Sequence, residues 1–366
     1  MKKMLLIVLT IMASIFVIGA LTSCTEDYKY WTNVIENYDE FDVLDIFLSV
    51  GETQTIDIYE QFKDSKIEIS KVVSRSSNEG VFTIKNHLIT ATGMGKAKLD
   101  VEIYSKKEST CYYATSAIVY VVDPNYESIV EIKTAQDLAQ MKLNQSGYYI
   151  LKSDIDLKDW EDWAPIGNLP ITLEEPPYSN AFCGMLINPD GYKIRNLTIK
   201  SLNSITQGIY GGYYGGLFGS LYEAYIDGII LENVFIDLTD FDGRGSSAAG
   251  GIAAAQLNSV IRNCKVDGTI IAQDRSGGIV GGASWGRILD CSFSGTVQST
   301  EHAAGGIAGF GYITKNCTVN ATINGTFASG GILGFQTSNY QILDCSFTGE
   351  LLGNGYKNES IGYTYS

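Results

Sequence analysis

Hydrophobic and polar residues alternate with a period of two in short runs through the second half of the chain, and the runs recur about every 27 residues. A period of two is typical of a β-strand with one buried face. Paired glycines mark the same recurrence, at Gly215-Gly216, Gly250-Gly251, Gly277-Gly278, Gly305-Gly306 and Gly330-Gly331. Because one strand cannot bury its apolar face alone, this period predicts a solenoid in which neighbouring units cover one another.

A ladder of cysteines has the same period, and it consists of Cys264, Cys291, Cys317 and Cys345. Two residues after each cysteine comes an apolar side chain, and the set is Val266, Phe293, Val319 and Phe347. Parallel stacking places Cys on Cys and Val on Phe at the roughly 4.8 Å spacing of paired strands. The pattern predicts a parallel β-helix, right-handed like most parallel crossovers. In it the cysteines are small buried hydrophobes rather than nucleophiles.

Units such as SGGIVGGASWGRILDCSFSGTV (276–297) and SGGILGFQTSNYQILDCSFTGEL (329–351) resemble the GLUG motif of bacterial surface proteins. That motif occurs in immunoglobulin-A peptidases and in adhesin-like proteins. The lead-in IKTAQDLAQM (132–141) is similar to the helix that begins such β-helices, and the resemblance covers about 126–366. It implies a fold and a surface role without specifying an activity. The unit GGIAAA (250–255) lacks the second glycine of the motif, so we expect an irregular corner there.

Short alternating strands also fill residues 41–123 and predict an all-β sandwich. The segments LSVGETQTIDI (48–58) and VFTIKNHLITATGMGKAKLDVEI (81–103) resemble the bacterial Ig-like group 2 module, which in that family usually spaces a head from the cell. His87, beside Asn86, is interpreted as a turn residue between two of these strands. Asp123-Pro124 marks the boundary with the β-helix.

The N-terminus has the order of a secretory signal: two lysines, an apolar run over Met4–Ala20 and a small-residue exit. The run is short for a membrane span, which needs about 20 residues; an uncleaved anchor helix is the alternative. The exit LTSC resembles a lipobox, with Cys24 as the lipidated residue. The acidic Thr25–Asp27 stretch resembles the surface-export signal of Bacteroidota lipoproteins. We therefore predict a signal peptide at 1–23, a tether at 24–40, an Ig-like domain at 41–123 and a GLUG β-helix at 124–366.

The formal net charge is −15, and removal of residues 1–23 leaves 24 Lys+Arg against 41 Asp+Glu. Such an acidic chain repels phosphate backbones, so nucleic acid is not an expected partner. The expected membrane contact is the lipid on Cys24, at the outer membrane and on the cell surface. No CxxC or HExxH motif occurs, and no cofactor is predicted.

Catalytic chemistry has few candidates. His87 and His302 are the only histidines, and neither has an evident nucleophile or orienting group in the sequence. One acidic cluster, over 154–162, lies in the lead-in and is interpreted as capping turns. A second consists of Asp237, Asp240 and Asp242 in an inserted loop. It could hold calcium through oxygen ligands or work as a carboxylate pair on a glycosidic bond, but solvated loop charge is the simpler interpretation. No catalytic residue is predicted.

Exposed aromatic residues are the better candidates for ligand binding, because flat rings stack on sugars and anchor protein interfaces. The candidates are Tyr210, Tyr213, Tyr214 and Trp285. Trp160 and Trp163 are instead expected to close the first coil.

The sequence thus predicts a lipid-anchored, adhesin-like surface protein that binds a glycan or a host protein. A carbohydrate-active β-helix enzyme and a structural surface subunit without a ligand are the alternatives. An uncovered last coil would expose strand edges. We therefore expect Tyr356, Tyr363 and Tyr365 to cover it, or the chain to self-associate through it.

Overall fold

A computed structural model describes residues 45–56, 68–106, 111–160, 162–167, 180–200, 213–239, 247–284, 286–336 and 341–364. The chain divides into two compact units, Met1–Asp123 and Pro124–Ser366. The predicted signal peptide, the tether and Cys24 lie outside the described residues. Within these ranges, no helix is long and apolar enough to cross a membrane.

The first unit consists of two β-sheets around one core. Its strands are β1 (Ile46–Ser49), β2 (Thr53–Thr55), β3 (Ile69–Ser76), β4 (Phe82–Lys85), β5 (Leu88–Ala91), β6 (Gly95–Ser105) and β7 (Cys111–Val122). One sheet has the order β1-β7-β6-β3 and the other β2-β5-β4. Leu99 and Val119 from the first sheet and Phe82 and Ile89 from the second are fully buried in one cluster. The two sheets therefore pack face to face, as the sandwich prediction requires.

Asn86 and His87 form the two-residue turn between β4 and β5, with φ angles of 50° and 64°. Two successive positive φ values are typical of the hairpin turn whose twist matches the strands. The interpretation of His87 as a turn residue is confirmed.

The second unit contains four parallel sheets. The long sheet comprises β10 (Ile155–Asp156), β12 (Lys193–Arg195), β17 (Ile230–Asp237), β21 (Lys265–Ala272), β25 (Ser292–Ser299), β29 (Thr318–Gly325) and β33 (Ser346–Leu352), with β13 (Thr198–Ile199) beside β17. The middle sheet comprises β8 (Val130–Ile132), β9 (Tyr148–Leu151), β11 (Met185–Ile187), β16 (Tyr225–Asp227), β20 (Val260–Arg262), β24 (Arg287–Leu289), β28 (Ile313–Lys315) and β32 (Gln341–Leu343).

Two further sheets flank the glycine corner of each coil. The first corner sheet comprises β14 (Tyr214–Gly215), β18 (Ala248–Gly250), β22 (Arg275–Gly277), β26 (Ala303–Gly305), β30 (Ala328–Gly330) and β34 (Tyr356–Asn358). The second corner sheet comprises β15 (Phe218–Tyr222), β19 (Ala253–Leu257), β23 (Val280–Ser284), β27 (Ala308–Phe310), β31 (Leu333–Gln336) and β35 (Ile361–Thr364). The chain visits the four sheets in turn and pairs in parallel with the preceding coil each time. The prediction of an all-β chain with a parallel β-helix is confirmed.

The interior of the helix follows the predicted ladders. Val266 pairs with Phe293, Phe293 with Val319, and Val319 with Phe347. The second glycine of the last four pairs faces this column across the coil. A Cβ on Gly251 would lie 2.6 Å from Cγ1 of Val266. The paired glycines and the Val/Phe ladder are therefore two sides of one packing contact.

The corner at GGIAAA is regular, which corrects the expectation of an irregular one. Ala253 pairs with Val280 and Ala255 with Gly282, in the register of the other coils. Alanine in place of the second motif glycine is tolerated because Ala254 carries only a methyl group and its neighbour in the preceding coil, Gly219, carries no side chain.

A left-handed residue bends the chain between the middle sheet and the long sheet in each of the last four coils. The series is Asn263, Asp290, Asn316 and Asp344, with φ between 51° and 54°. Asparagine and aspartate adopt this conformation more readily than other residues with a Cβ. Their side chains also join successive coils. Asn316 donates from Nδ2 to Asp290 Oδ1 at 3.0 Å.

Replacing Asn316 with alanine should lower the free energy of unfolding by about 1 kcal/mol, because alanine at positive φ is strained. Glycine at the same position should cost less, since it has no Cβ to strain. Urea unfolding of both variants measures the difference. Equal losses would show that the exposed hydrogen bond, rather than the backbone, makes the contribution.

The N-terminal end of the β-helix is covered by the α-helix α1 (Ala135–Gln140), which continues into a 3₁₀ turn at Met141–Leu143. Thr134 and Asp137 form a reciprocal capping box at its start. Leu138 and Met141 are fully buried over the first coils. The predicted lead-in helix is confirmed.

The last described coil is less covered. Its inward residues Ile342, Phe347 and Leu351 are only partly buried. Tyr356 continues the first corner sheet and packs on Phe327, so it does not cover the core as expected. Tyr363 lies in β35, and Tyr365 is outside the described residues. Self-association through this coil stays a prediction.

Candidate functional site: an aromatic corner of the β-helix

Partly exposed aromatic and charged side chains gather where the two corner sheets meet, in the C-terminal coils. We call this surface the aromatic corner, and it consists of Asp274, Arg275, His302, Phe310, Phe327, Phe335 and Tyr356. These residues are far apart in sequence. The parallel register brings them together. In successive coils, each residue lies in one of two stacked columns or directly before the first of these columns.

One row of the corner runs along the second corner sheet. Phe310 pairs with Phe335, and their rings stack with centroids 5.8 Å apart and planes 25° apart. The guanidinium of Arg275 lies over the Phe310 ring, 5.8 Å from its centroid. An arginine over an aromatic face gains a cation–π attraction. This row is therefore an ordered stack of one cation and two rings.

A second row lies beside it at the start of the first corner sheet. The imidazole of His302 stacks on Phe327, with centroids 4.9 Å apart and planes 12° apart. Tyr356 packs edge-on against Phe327 at 5.6 Å. His302 also lies 5.6 Å from the Phe335 ring, so the two rows are in contact.

The charged groups of the corner sit at its N-terminal end. Arg275 Nε lies 3.1 Å from Asp274 Oδ2, and His302 Nδ1 lies 3.7 Å from Asp274 Oδ1. Burial lowers the pKa of His302 below its ordinary value; the charge of Asp274 opposes this shift and that of Arg275 adds to it. The imidazole is therefore neutral at pH 7, and its Nδ1 is buried on the side of Asp274.

The lowered pKa of His302 predicts a loss of stability in acid. The folded pKa lies below the unfolded value of about 6.5, so the unfolded chain binds the proton more tightly. Stability should therefore fall as the pH drops from 7.5 to 5.5. The variant His302→Phe keeps the ring stack and should lose less over this range. Urea midpoints at the two pH values measure the difference, and equal pH dependence in both proteins would contradict the assignment.

The coil geometry itself does not require these aromatic residues. The column that contains Phe310 and Phe335 begins with Ser220, Ala255 and Gly282. The column that contains Arg275 and Tyr356 also contains Ala248, Ala303 and Ala328. Small residues thus stack equally well at these positions in the same helix. The coils therefore do not need these rings in order to stack.

The predicted binding residues are only partly within the described structure. Tyr210 and Trp285 lie outside it. Tyr213 and Tyr214 are half-buried at the start of the first corner sheet, where Tyr213 packs against the core. Tyr214 pairs with Ala248 and so begins the column that also contains Arg275 and Tyr356. The sequence analysis missed the corner, although the recurrence of Phe310 and Phe335 at the same place after successive glycine corners was a signal for it.

The tryptophans of the lead-in close the first coils, as predicted. Trp163 is 1% exposed, and its indole Nε1 donates to the carbonyl of Leu217 at 3.1 Å. Trp160 packs on it with ring centroids 5.7 Å apart.

The acidic candidates in the described residues are engaged in structural hydrogen bonds. Asp237 accepts from the backbone N–H and the hydroxyl of Thr239, at 3.0 and 2.6 Å. Asp240 and Asp242 lie outside the described residues. Asp154 accepts from the Lys193 N–H and from Arg195, and Asp156 accepts from the Lys158 N–H and from Asn196. No group of three potential metal ligands occurs among the described side chains.

Hydrogen bonds and neighbouring cations lower the pKa of Asp154 and Asp156. A glycosidase acid needs the opposite shift, because it must carry a proton near neutral pH. Asp156 caps a local turn as expected, whereas Asp154 instead joins the lead-in to Lys193 and Arg195 of the next coil.

The cysteine ladder is buried, as predicted. Cys264, Cys291 and Cys317 are at most 1% exposed, and each thiol donates to the carbonyl two residues before it. Burial raises the pKa of Cys291, and hydrogen bonding within the ladder raises the pKa of Cys317 and Cys345. These groups stay protonated thiols, which are poor nucleophiles.

The fold and its repeats define the class of this chain as a parallel β-helix protein of the solenoid type. The GLUG motif matches it at residues 245–271 and 274–298, so the β-helix carries GLUG repeats. The chain is 28% identical over 200 residues to halomucin of Haloquadratum walsbyi (strain DSM 16790 / HBSQ001), a match that covers 52% of this chain and 2% of halomucin. A solved structure of an IgA1 protease is similar with a TM-score of 0.38 and 13% identity, covering 82% of this chain and 28% of the protease chain.

Proposed function

We propose that this chain is a lipid-anchored cell-surface protein whose β-helix binds a ligand through the aromatic corner. The aromatic corner is the observation that carries the proposal. It places three phenylalanines and a tyrosine, with an Asp, an Arg and a His, on a partly exposed surface that the scaffold does not need. Rings interleaved with a few polar groups are the composition of recognition sites.

Surface display is supported by the sequence and by the similarities. The N-terminal segment with Cys24 resembles a lipoprotein signal, and the first unit resembles a bacterial Ig-like spacer. GLUG repeats and the similarity to halomucin are in keeping with a surface protein. In this proposal the lipid on Cys24 holds the chain at the outer membrane, and the Ig-like unit spaces the β-helix from it.

Binding is tested with the full chain on a panel of immobilised glycans, mucins and matrix proteins. We expect saturable binding by the wild-type chain and loss of this binding in Tyr356→Ala. The unfolding midpoint of the variant should equal that of the wild-type chain. The same wells are assayed for released reducing ends. Cleavage would favour the carbohydrate-active alternative, and the absence of both binding and cleavage would favour a structural subunit.

Anchoring is tested by the variant Cys24→Ala in cells. We expect the wild-type chain in the membrane fraction and sensitive to protease added outside the cell. The variant should lose lipid labelling and leave the outer membrane. Unchanged lipid labelling of the variant would refute Cys24 as the lipidated residue.

A further inference from the structure

We propose that the aromatic corner binds uncharged pyranose sugars of a glycan. This inference rests on the proposed binding function and names its ligand class. The corner spans the coils from Arg275 to Tyr356, which are three coil steps apart. At about 4.8 Å a step this is about 14 Å, the length of a short oligosaccharide lying along the helix axis.

The aromatic rings supply the apolar part of sugar recognition. The C–H face of a pyranose packs against aromatic surface, where it is shielded from water. Tyr356 offers the largest such surface, because its side chain is 55% exposed. Its edge-on contact with Phe327 holds the ring in place. Phe310, Phe327 and Phe335 are partly exposed beside it and extend the apolar strip towards Arg275.

The polar groups of the corner match the hydroxyls of a sugar. A hydroxyl both donates and accepts hydrogen bonds. The Asp274 carboxylate accepts, the Arg275 guanidinium donates, and the neutral imidazole of His302 offers at most one ring nitrogen, Nε2, because Nδ1 is buried beside Asp274. The Arg275 side chain is 46% exposed, and that of His302 is 38% exposed, so a ligand reaches both. Asp274 and Arg275 hold each other in place for such contacts.

The charges favour an uncharged ligand. Asp274 and Arg275 neutralise one another at 3.1 Å, so the corner has no uncompensated cation for a sulfate or carboxylate. Glu301 lies next to His302 in sequence and is exposed, and the whole chain is acidic. An acidic polysaccharide would therefore be repelled. A protein partner is less suited, because a stable protein interface takes about 20–30 residues from each side, whereas the aromatic corner consists of seven.

The test measures the affinity of the full chain for three sets of ligands. They are neutral glucan, mannan and galactan oligosaccharides; polygalacturonate and hyaluronan fragments; and deglycosylated matrix proteins. Tyr356→Ala and Arg275→Ala remove corner groups at positions where neighbouring coils already carry alanine, so both variants should fold. Thr322→Ala, on the long sheet, is the control. Unfolding midpoints confirm that all three variants are folded.

We expect a neutral oligosaccharide to bind, with at least a tenfold loss of affinity in both corner variants and no change in Thr322→Ala. Binding of only acidic glycans or only proteins, weakened by the corner variants, would overturn the neutral-glycan inference and leave the proposed binding function standing. Binding that neither corner variant weakens would overturn both, and so would no binding to any of the three sets.

Discussion

Replacing Gly278 with alanine is expected to lower the free energy of unfolding by about 3 kcal/mol. A Cβ at this position would lie 2.2 Å from Cγ of Phe293 and 2.2 Å from the carbonyl oxygen of Gly306. The first contact involves a fully packed ring in the core, and the second involves the backbone of the next coil. Repacking one side chain cannot relieve both, so the coils must separate locally.

Gly282→Ala is the matched control for this prediction. A Cβ on Gly282 would come no closer than 3.7 Å to a heavy atom, at the end of the Arg275 side chain. Both glycines lie in the same coil, but only Gly278 faces the Val/Phe ladder. Urea unfolding should separate the two variants by more than 2 kcal/mol. A small loss in Gly278→Ala, equal to that of Gly282→Ala, would contradict the close packing of successive coils.

Replacing Trp163 with alanine is expected to cost about 3–5 kcal/mol, the usual range for a buried aromatic residue. The Trp163 side chain is 1% exposed and fills the beginning of the helical core. Its loss leaves a cavity and also leaves the carbonyl of Leu217 without the indole donor at 3.1 Å. The residue stabilises the coils that follow, because each coil is covered by its neighbours.

Trp160→Ala provides the comparison, since Trp160 packs on Trp163 but remains partly exposed. It should cost clearly less than Trp163→Ala in the same urea titration. Trp163→Phe should recover part of the loss by filling most of the cavity. Equal effects of the two alanine variants would show that Trp163 does not close the core.

The coil architecture was predictable because each of its parts has a periodic signal. The Val/Phe ladder, the cysteines and the paired glycines repeat at one interval, and stacking them in register is the arrangement that buries them all. The hairpin at Asn86 and the capping box at Thr134 were predictable from local propensities. The covering role predicted for Tyr356 was wrong, because that residue continues a surface column and packs on Phe327.

The candidate site was not predictable in the same way. The sequence indicates binding residues where aromatic side chains are near one another in the chain, such as Tyr213 and Tyr214. The aromatic corner instead joins residues about one repeat apart. They belong to two columns whose other members are mostly small side chains. Recognising it requires knowing that the residue before a first corner strand, such as His302, lies against Phe335 on the second corner sheet of the next coil.

Residues one repeat apart meet at one surface of the β-helix, and a thiol crosslink between two strands tests this register. Thr296 and Thr322 are register partners on the long sheet, whereas Thr318 lies four residues before Thr322 and pairs with Ser292. We expect Thr296→Cys/Thr322→Cys to be crosslinked by a short bifunctional thiol reagent, above the wild-type background. The mismatched pair Thr296→Cys/Thr318→Cys, displaced by about 13 Å along the strand, should not be. Equal crosslinking of the two pairs, or crosslinking of the mismatched pair alone, would contradict the coil register on which the aromatic corner depends.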